Sequence, residues 1–246
     1  MRLSKSWIVA QKDFKVFSKK KNIIYSLVVV PLIVSILFPV VVTFAGRNSG
    51  GIQAAELPVL LPAFTIFYVI LAGITPTTLA SYSLVGEKVE KSLEPLLATP
   101  TTDGEILLGK GIAAFLPPIV AIFAGATILM ALMDSVTYGK LGYDFFPNTN
   151  SDIVFFLMVP LAVIASVEWN VIVSSRVSDV RIAQQIGYLL ILPFAGIYIG
   201  GEMNLVDLSN ANNLLIIVAL LLVVDVLLLY VAKATFRREE ILTKWR

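Results

Sequence analysis

The chain contains no cysteine and no histidine in its 246 residues. Without cysteine, disulfides, thiol nucleophiles and thiolate metal sites are excluded. Without histidine, the chain also lacks the commonest metal ligand and general base. Charge is scarce too, because Asp, Glu, Lys and Arg make up only 15% of the residues. We therefore expect no enzyme, no cofactor bound by this chain and no direct handling of soft metals.

Apolar residues, in contrast, make up 57% of the chain, well above the globular average. A helix needs about 20 apolar residues to cross the hydrocarbon core of a bilayer. Six segments qualify, at 23–45, 57–85, 111–133, 153–174, 184–200 and 213–234. The sequence thus predicts an all-α polytopic membrane protein with one transmembrane domain over 1–246. The first segment is too long for the core of a signal peptide, which has roughly 7–15 residues.

The basic residues indicate the orientation of these spans. Lys and Arg concentrate at both termini, in residues 86–110 and between spans four and five. The other three loops contain only Arg47 and Lys140. Because basic residues are retained on the cytoplasmic side, we expect a multi-pass protein of the cell membrane with both termini in the cytoplasm.

Residues 1–22 precede the first span and have an amphipathic pattern. Their apolar residues recur at helical spacing with lysines between them: Trp7, Ala10, Lys12, Phe14, Lys15, Phe17 and Lys19. This pattern predicts a helix in the membrane interface, with its lysines toward anionic lipid. A frayed basic tail that only orients the protein is the alternative.

Spans two and three are separated by a charged segment, GEKVEKSLEPLLATPTTDGEILLGK, at residues 86–110. Pro95 suits the first turn of a short helix capped by Glu94, and Pro100 ends that helix. Thr102 and Glu105 then form a capping-box pattern that starts the next helix. A short helix with exposed leucines fits a groove on a partner protein. The alternative is a loop folded back on the membrane surface.

The same segment contains G-x-x-x-x-G-K, from Gly104 to Lys110, as in phosphate-binding loops. A phosphate-binding loop follows a buried strand and ends in Ser or Thr, which binds magnesium. Here Gly111 takes that last position and a transmembrane span follows. We interpret the match as chance, so this chain is not expected to bind ATP.

Residues 86–110 resemble the cytoplasmic loop between spans two and three of type 2 ABC exporter permeases. That loop has an acidic-basic run, Leu-Glu-x-Leu-Leu, a Thr-Pro turn and Glu-Ile-Leu-x-Gly-Lys, and this chain matches it from Leu93 to Lys110. An interfacial N-terminal helix, six spans and cytoplasmic termini are also similar to that family.

The resemblance implies a coupling helix that docks in a cleft of a separate ABC ATPase subunit. The residues expected at that contact are Glu87, Glu90, Leu93, Glu94, Leu96 and Leu97, with a smaller contribution from Arg176 and Arg181. ATP and Mg²⁺ would be bound by the ATPase. The other implied partners are a second permease copy, identical or closely related, and membrane lipid. No nucleic acid is expected.

Two further features lie inside the spans. Span two has a polar run that includes Thr75, Thr78, Ser81 and Tyr82. It predicts either a wall of the translocation path or simple helix packing.

Glu168 in span four and Asp225 in span six are intramembrane carboxylates, which must be paired, protonated or in contact with water. They are either a cation or proton site, or neutral acids that bond to a neighbouring helix. An ion-gradient-driven transporter or channel that uses both is therefore the alternative to an ATP-driven exporter. Such a transporter predicts inverted repeats, and none is evident. An intramembrane enzyme would need a nucleophile or metal set that the chain lacks.

Overall fold

The computed structural model describes residues 3–45, 52–89, 101–203 and 205–235, and this part of the chain is all-α, without strands. The described residues include seven long helices: α1 Leu3–Lys19, α2 Lys21–Phe44, α3 Leu57–Ser81, α4 Asp103–Leu141, α5 Thr149–Arg176, α6 Val180–Glu202 and α7 Ala211–Thr235. Helices α2 to α7 are each long and apolar enough to cross a membrane. The predicted fold class, a polytopic protein with six spans, is confirmed. The placement of α1 in the interface stays a prediction.

Helices α3 and α5 form the centre of the bundle. In an apolar 18-residue stretch of each, 67% of the residues are buried, whereas the corresponding stretches of α2, α6 and α7 have 22%, 17% and 22%. The outer helices pack on the central pair and on α4: α7 on α5, α6 on α3, and α2 on α4. Their outward side chains are apolar, as a surface against lipid requires.

Ser35 connects three of the spans inside this core. Its Oγ lies 2.7 Å from the Tyr68 hydroxyl of α3 and 2.7 Å from the Gly125 carbonyl of α4. A Cβ on Gly125 would lie 3.0 Å from both Pro31 and Ser35, so the glycine allows α2 and α4 to approach. The Ser35 hydroxyl thus forms its hydrogen bonds within the protein, at a depth where lipid offers no hydrogen-bond partner.

Helix α4 is longer than the predicted span 111–133. Its 39 residues extend about 58 Å at 1.5 Å per residue. The predicted capping box fixes its start, because Thr102 Oγ1 accepts from the Glu105 amide and Glu105 Oε2 accepts from the Thr102 amide. Its end is fixed by Gly142, whose φ of 77° is left-handed. The helix therefore continues beyond the bilayer core.

Helix α3 does not continue regularly into the loop. A π-helical turn, Tyr82–Gly86, follows Ser81, and a short helical segment, Glu87–Val89, follows that turn. The wider turn shifts the side chains that come after it around the helix axis. A second π-helical turn, Val154–Met158, lies in α5 just before Pro160, where the proline ring disfavours a regular turn.

Candidate functional site at the loop end of the bundle

We call the end of the bundle where α3 ends and α4 begins the loop end. Helix α1 packs there against α4. The contact is close because Gly109 has no side chain: a Cβ would lie 2.5 Å from the Ser6 carbonyl oxygen and 2.8 Å from Val9 Cβ. Small residues allow backbones to approach in this way. Helix α1 is thus fixed beside the first turns of α4.

A buried group of four side chains, which we call the ionic cluster, lies beside this contact. It consists of Asp13, Ser83, Glu87 and Lys110. Lys110 Nζ lies 2.6 Å from Glu87 Oε2 and 3.6 Å from Asp13 Oδ2. The same ammonium donates to the Ser83 carbonyl, while the Ser83 hydroxyl donates to Asp13. The cluster joins α1, the turn after α3, and α4.

The charges in this region balance each other. Two carboxylates, Asp13 and Glu87, face Lys110 inside the protein, and Lys12 lies at the rim with its Nζ 2.6 Å from Glu87 Oε1. Burial raises the pKa of Asp13, and the Lys110 ammonium opposes that rise. A buried ion pair becomes strongly unfavourable when one partner is removed. The three segments are therefore expected to move together.

Sequence reasoning did not anticipate this cluster. Lys110 belongs to three sequence patterns, namely the basic residues, the G-x-x-x-x-G-K match and the family resemblance. None of them indicates a buried carboxylate partner, and none includes Asp13. One signal was available in α1, whose inward residues are Ser6, Val9, Ala10, Asp13 and Phe17. A carboxylate on the buried face of an amphipathic helix requires a cation opposite it.

The cluster also explains the G-x-x-x-x-G-K match. Gly109 allows α1 to approach, and the side chain of Lys110, 2% exposed, contacts carboxylates of its own chain. A phosphate-binding lysine must instead reach a nucleotide. Packing at the loop end therefore accounts for both residues.

The residues predicted to contact an ATPase are only partly described. Glu87 is buried in the ionic cluster and not presented at the surface. Arg176 and Arg181 are exposed on either side of the short α5–α6 connection, where Asp179 caps α6. Glu90, Leu93, Glu94, Leu96 and Leu97 lie outside the described residues.

The α5–α6 connection lies close to the turn that follows α3. Val85 of that turn packs with Val173 of α5 and Ala183 of α6. All three side chains are buried. The surface formed by Arg176 and Arg181 therefore adjoins the base of the 86–110 loop.

The polar run of span two mainly contacts neighbouring helices. Thr75 bonds to the Leu71 carbonyl of its own helix, and Ser81 bonds to Asn170 of α5. Thr78 lies 3.4 Å from the Tyr188 hydroxyl of α6. Thr78 and Tyr82 are half-buried and line a cavity, whereas Thr75 and Ser81 are buried.

Glu168 and Asp225, separate in the sequence, lie on α5 and α7, and these two helices pack against each other. Within the described residues, Glu168 Oε2 and both Asp225 oxygens have no hydrogen-bond partner. Both residues are buried. The structure thus places the two intramembrane acids on neighbouring helices, both buried.

A family model described as ABC-2 family transporter protein matches residues 7–204. The match includes the ionic cluster, the 86–110 loop and the first five spans. No curated protein matches the chain.

Proposed function

Because the chain belongs to the ABC-2 transporter family, we propose that it is the permease subunit of an ATP-driven exporter. It is a multi-pass membrane transport protein and not itself a catalytic enzyme. A separate ABC ATPase subunit would bind ATP and Mg²⁺ and supply the energy. The family match favours this function over an ion-gradient-driven transporter that uses Glu168 and Asp225.

The proposed coupling mechanism rests on the position of the ionic cluster. It lies at the base of the 86–110 loop and joins both segments that enter and leave that loop. When the ATPase subunits close, they would displace the loop, and the cluster would transmit that displacement to α3, α4 and α1 as one body. In this mechanism Glu87 supports the loop from within, and the leucines contact the ATPase.

A second permease copy would complete the translocation path. Helices α2, α6 and α7 leave most of their apolar surface exposed, which is available to lipid or to another copy. The half-buried hydroxyls Thr78 and Tyr82 are the members of the polar run that a cargo could reach. Native mass spectrometry of the purified protein tests for the second copy directly.

The decisive experiment removes the apolar surface of the loop. The chain is purified from its native membrane in mild detergent and tested for an associated ATPase subunit and for ATP hydrolysis. Replacing Leu93, Leu96 and Leu97 by Asp should abolish both, since a charged side chain cannot enter an apolar groove. A matched triple variant at the opposite end of the bundle, with Asp at the exposed Met203, Leu205 and Val206, should retain both.

Two results would count against the proposal. An ATPase that stays bound to the loop variant would show that it docks elsewhere. A wild-type chain that purifies without any ATPase, yet transports under an ion gradient, would favour the secondary transporter.

A further inference from the structure

A cavity of about 490 Å³ lies at the loop end, between the α1–α2 junction and helices α3 and α6. Its polar lining consists of Lys20, Lys21, Ser26, Thr78, Tyr82 and Gln184. Among the described residues, the lining has two ammonium groups, three hydroxyls and one amide, and no carboxylate. Such a set of donors and cations suits a phosphate or phosphodiester group.

The aromatic wall of the cavity positions one of the cations. Lys20 Nζ lies 4.6 Å from the centre of the Tyr82 ring, a cation–π distance. Lys20 itself is not helical, with φ −95° and ψ 91°, so the chain breaks between α1 and α2 at this residue. The break presents two consecutive lysines to the cavity.

The position of the cavity favours a lipid over a free phosphate ion. Ile23, where the first span begins, also lines it. Ile24 and Val28, one helical turn apart on α2, have exposed side chains of 39% and 41%. An amphiphile could therefore place its phosphate among the lysines and its acyl chains along α2, at the depth where lysines meet headgroups.

We propose that this cavity is a binding site for the headgroup of an anionic phospholipid from the leaflet at the loop end. Lys20 and Lys21 neutralise the phosphate. The Thr78 hydroxyl, which can accept from Tyr188, and the Gln184 amide donate hydrogen bonds to its oxygens. The site depends on membrane insertion of the bundle and not on the ATPase, so its test is independent of the proposed function.

Native mass spectrometry of the detergent-purified full chain tests the site with phosphatidylglycerol and with phosphatidylcholine of the same acyl chains. The wild type should bind one phosphatidylglycerol in preference to phosphatidylcholine. The double variant Lys20→Gln/Lys21→Gln should bind it at least about tenfold more weakly. The matched control Lys15→Gln/Lys19→Gln removes the same charge from exposed positions outside the cavity and should lose less than about threefold.

Three results would overturn the proposal. Equal weakening in both double variants would indicate a general attraction between α1 and anionic lipid. Equal affinity for the two lipids would exclude recognition of the headgroup charge. Binding of inorganic phosphate with the same lysine dependence, without binding of phosphatidylglycerol, would indicate a site for the free ion. Lys20→Arg/Lys21→Arg, which keeps both charges, should retain binding and separates a lost site from a misfolded chain.

Discussion

A buried ammonium group needs oxygen atoms around it, because removing it from water costs several kcal/mol. Lys110 obtains these oxygens from two other segments of the chain, from Asp13 in α1 and from Ser83 and Glu87 after α3. Without the ammonium, the buried Asp13 and Glu87 would share one location, and only Lys12 at the rim would offset their charge. Lys110 is therefore the residue on which the loop end depends most.

We expect Lys110→Met to lower the free energy of unfolding by about 3–5 kcal/mol, the range for breaking a buried ion pair. Lys140→Met is the matched control in the last turn of the same helix. Lys140 is exposed and donates to the Ile52 carbonyl, so its loss should cost no more than about 1 kcal/mol. Reversible unfolding in mixed micelles measures both. Similar small losses in the two variants would mean that the cluster adds little stability.

Of two acid-to-amide substitutions, only one should lower the stability of the chain. Asp13→Asn removes a charge that Lys110 and Ser83 contact, so it should destabilise the chain by about 1.5–3 kcal/mol. Asp225→Asn should cause no loss, because neither Asp225 oxygen has a hydrogen-bond partner within the described residues. Thermal unfolding in detergent compares the pair, and a clear loss in Asp225→Asn would reveal a partner outside the described residues.

At the scale of the helices, the α1–α4 contact depends on Gly109. Gly109→Val would place its side chain on the Ser6 carbonyl and on Val9, so we expect α1 to move away from α4, at a cost of about 1–3 kcal/mol. Gly111→Val is the matched control two residues along, where a Cβ meets nothing within 4 Å.

Hydrogen exchange measures the effect of these two glycine substitutions. Amides of α1 should exchange faster than in the wild type in Gly109→Val, and at the wild-type rate in Gly111→Val. Equal protection of α1 in both variants would show that the helix is held by other contacts.

A helix boundary can be predicted from the sequence when the residues that set it lie within one or two turns of each other. Six spans follow from length and hydropathy, and Thr102 with Glu105 sets the start of α4 because a capping box acts within one turn. The π-helical turn Tyr82–Gly86 has no comparable local signal, since its residues Y-S-L-V-G fit an ordinary helix end. That turn instead accompanies the packing of Ser83 and Glu87 against α1 and α4.

At the scale of the whole molecule, the ionic cluster joins residues that are far apart in the sequence. Lys110 lies 27 positions from Ser83, and Asp13 lies 70 positions from Ser83. Hydropathy and resemblance predict that α3 and α4 meet at the loop, but they do not predict that α1 completes the charge balance there. The sequence predicts that Glu87 contacts a partner protein, whereas in the structure its side chain is buried and points into the bundle.

The orientation of the whole bundle can be measured because the chain has no natural cysteine. We expect Ser4→Cys in α1 and Ser178→Cys between α5 and α6 to lie in the cytoplasm, since the basic loops are retained there. Ser209→Cys, in the α6–α7 connection, should lie outside, because residues 203–210 contain no Lys or Arg. All three serines are exposed.

A membrane-impermeant maleimide distinguishes the two sides of the membrane. On intact cells it should label Ser209→Cys alone, and after permeabilisation it should label all three variants, with no background from the wild type. Labelling of only Ser4→Cys and Ser178→Cys on intact cells would invert the bundle, and an ATPase in the cytoplasm could not then reach the 86–110 loop. Labelling of Ser4→Cys and Ser178→Cys from opposite sides would contradict the packing of α1 against the loop end. Only the first outcome leaves the ionic cluster on the side where ATP is available.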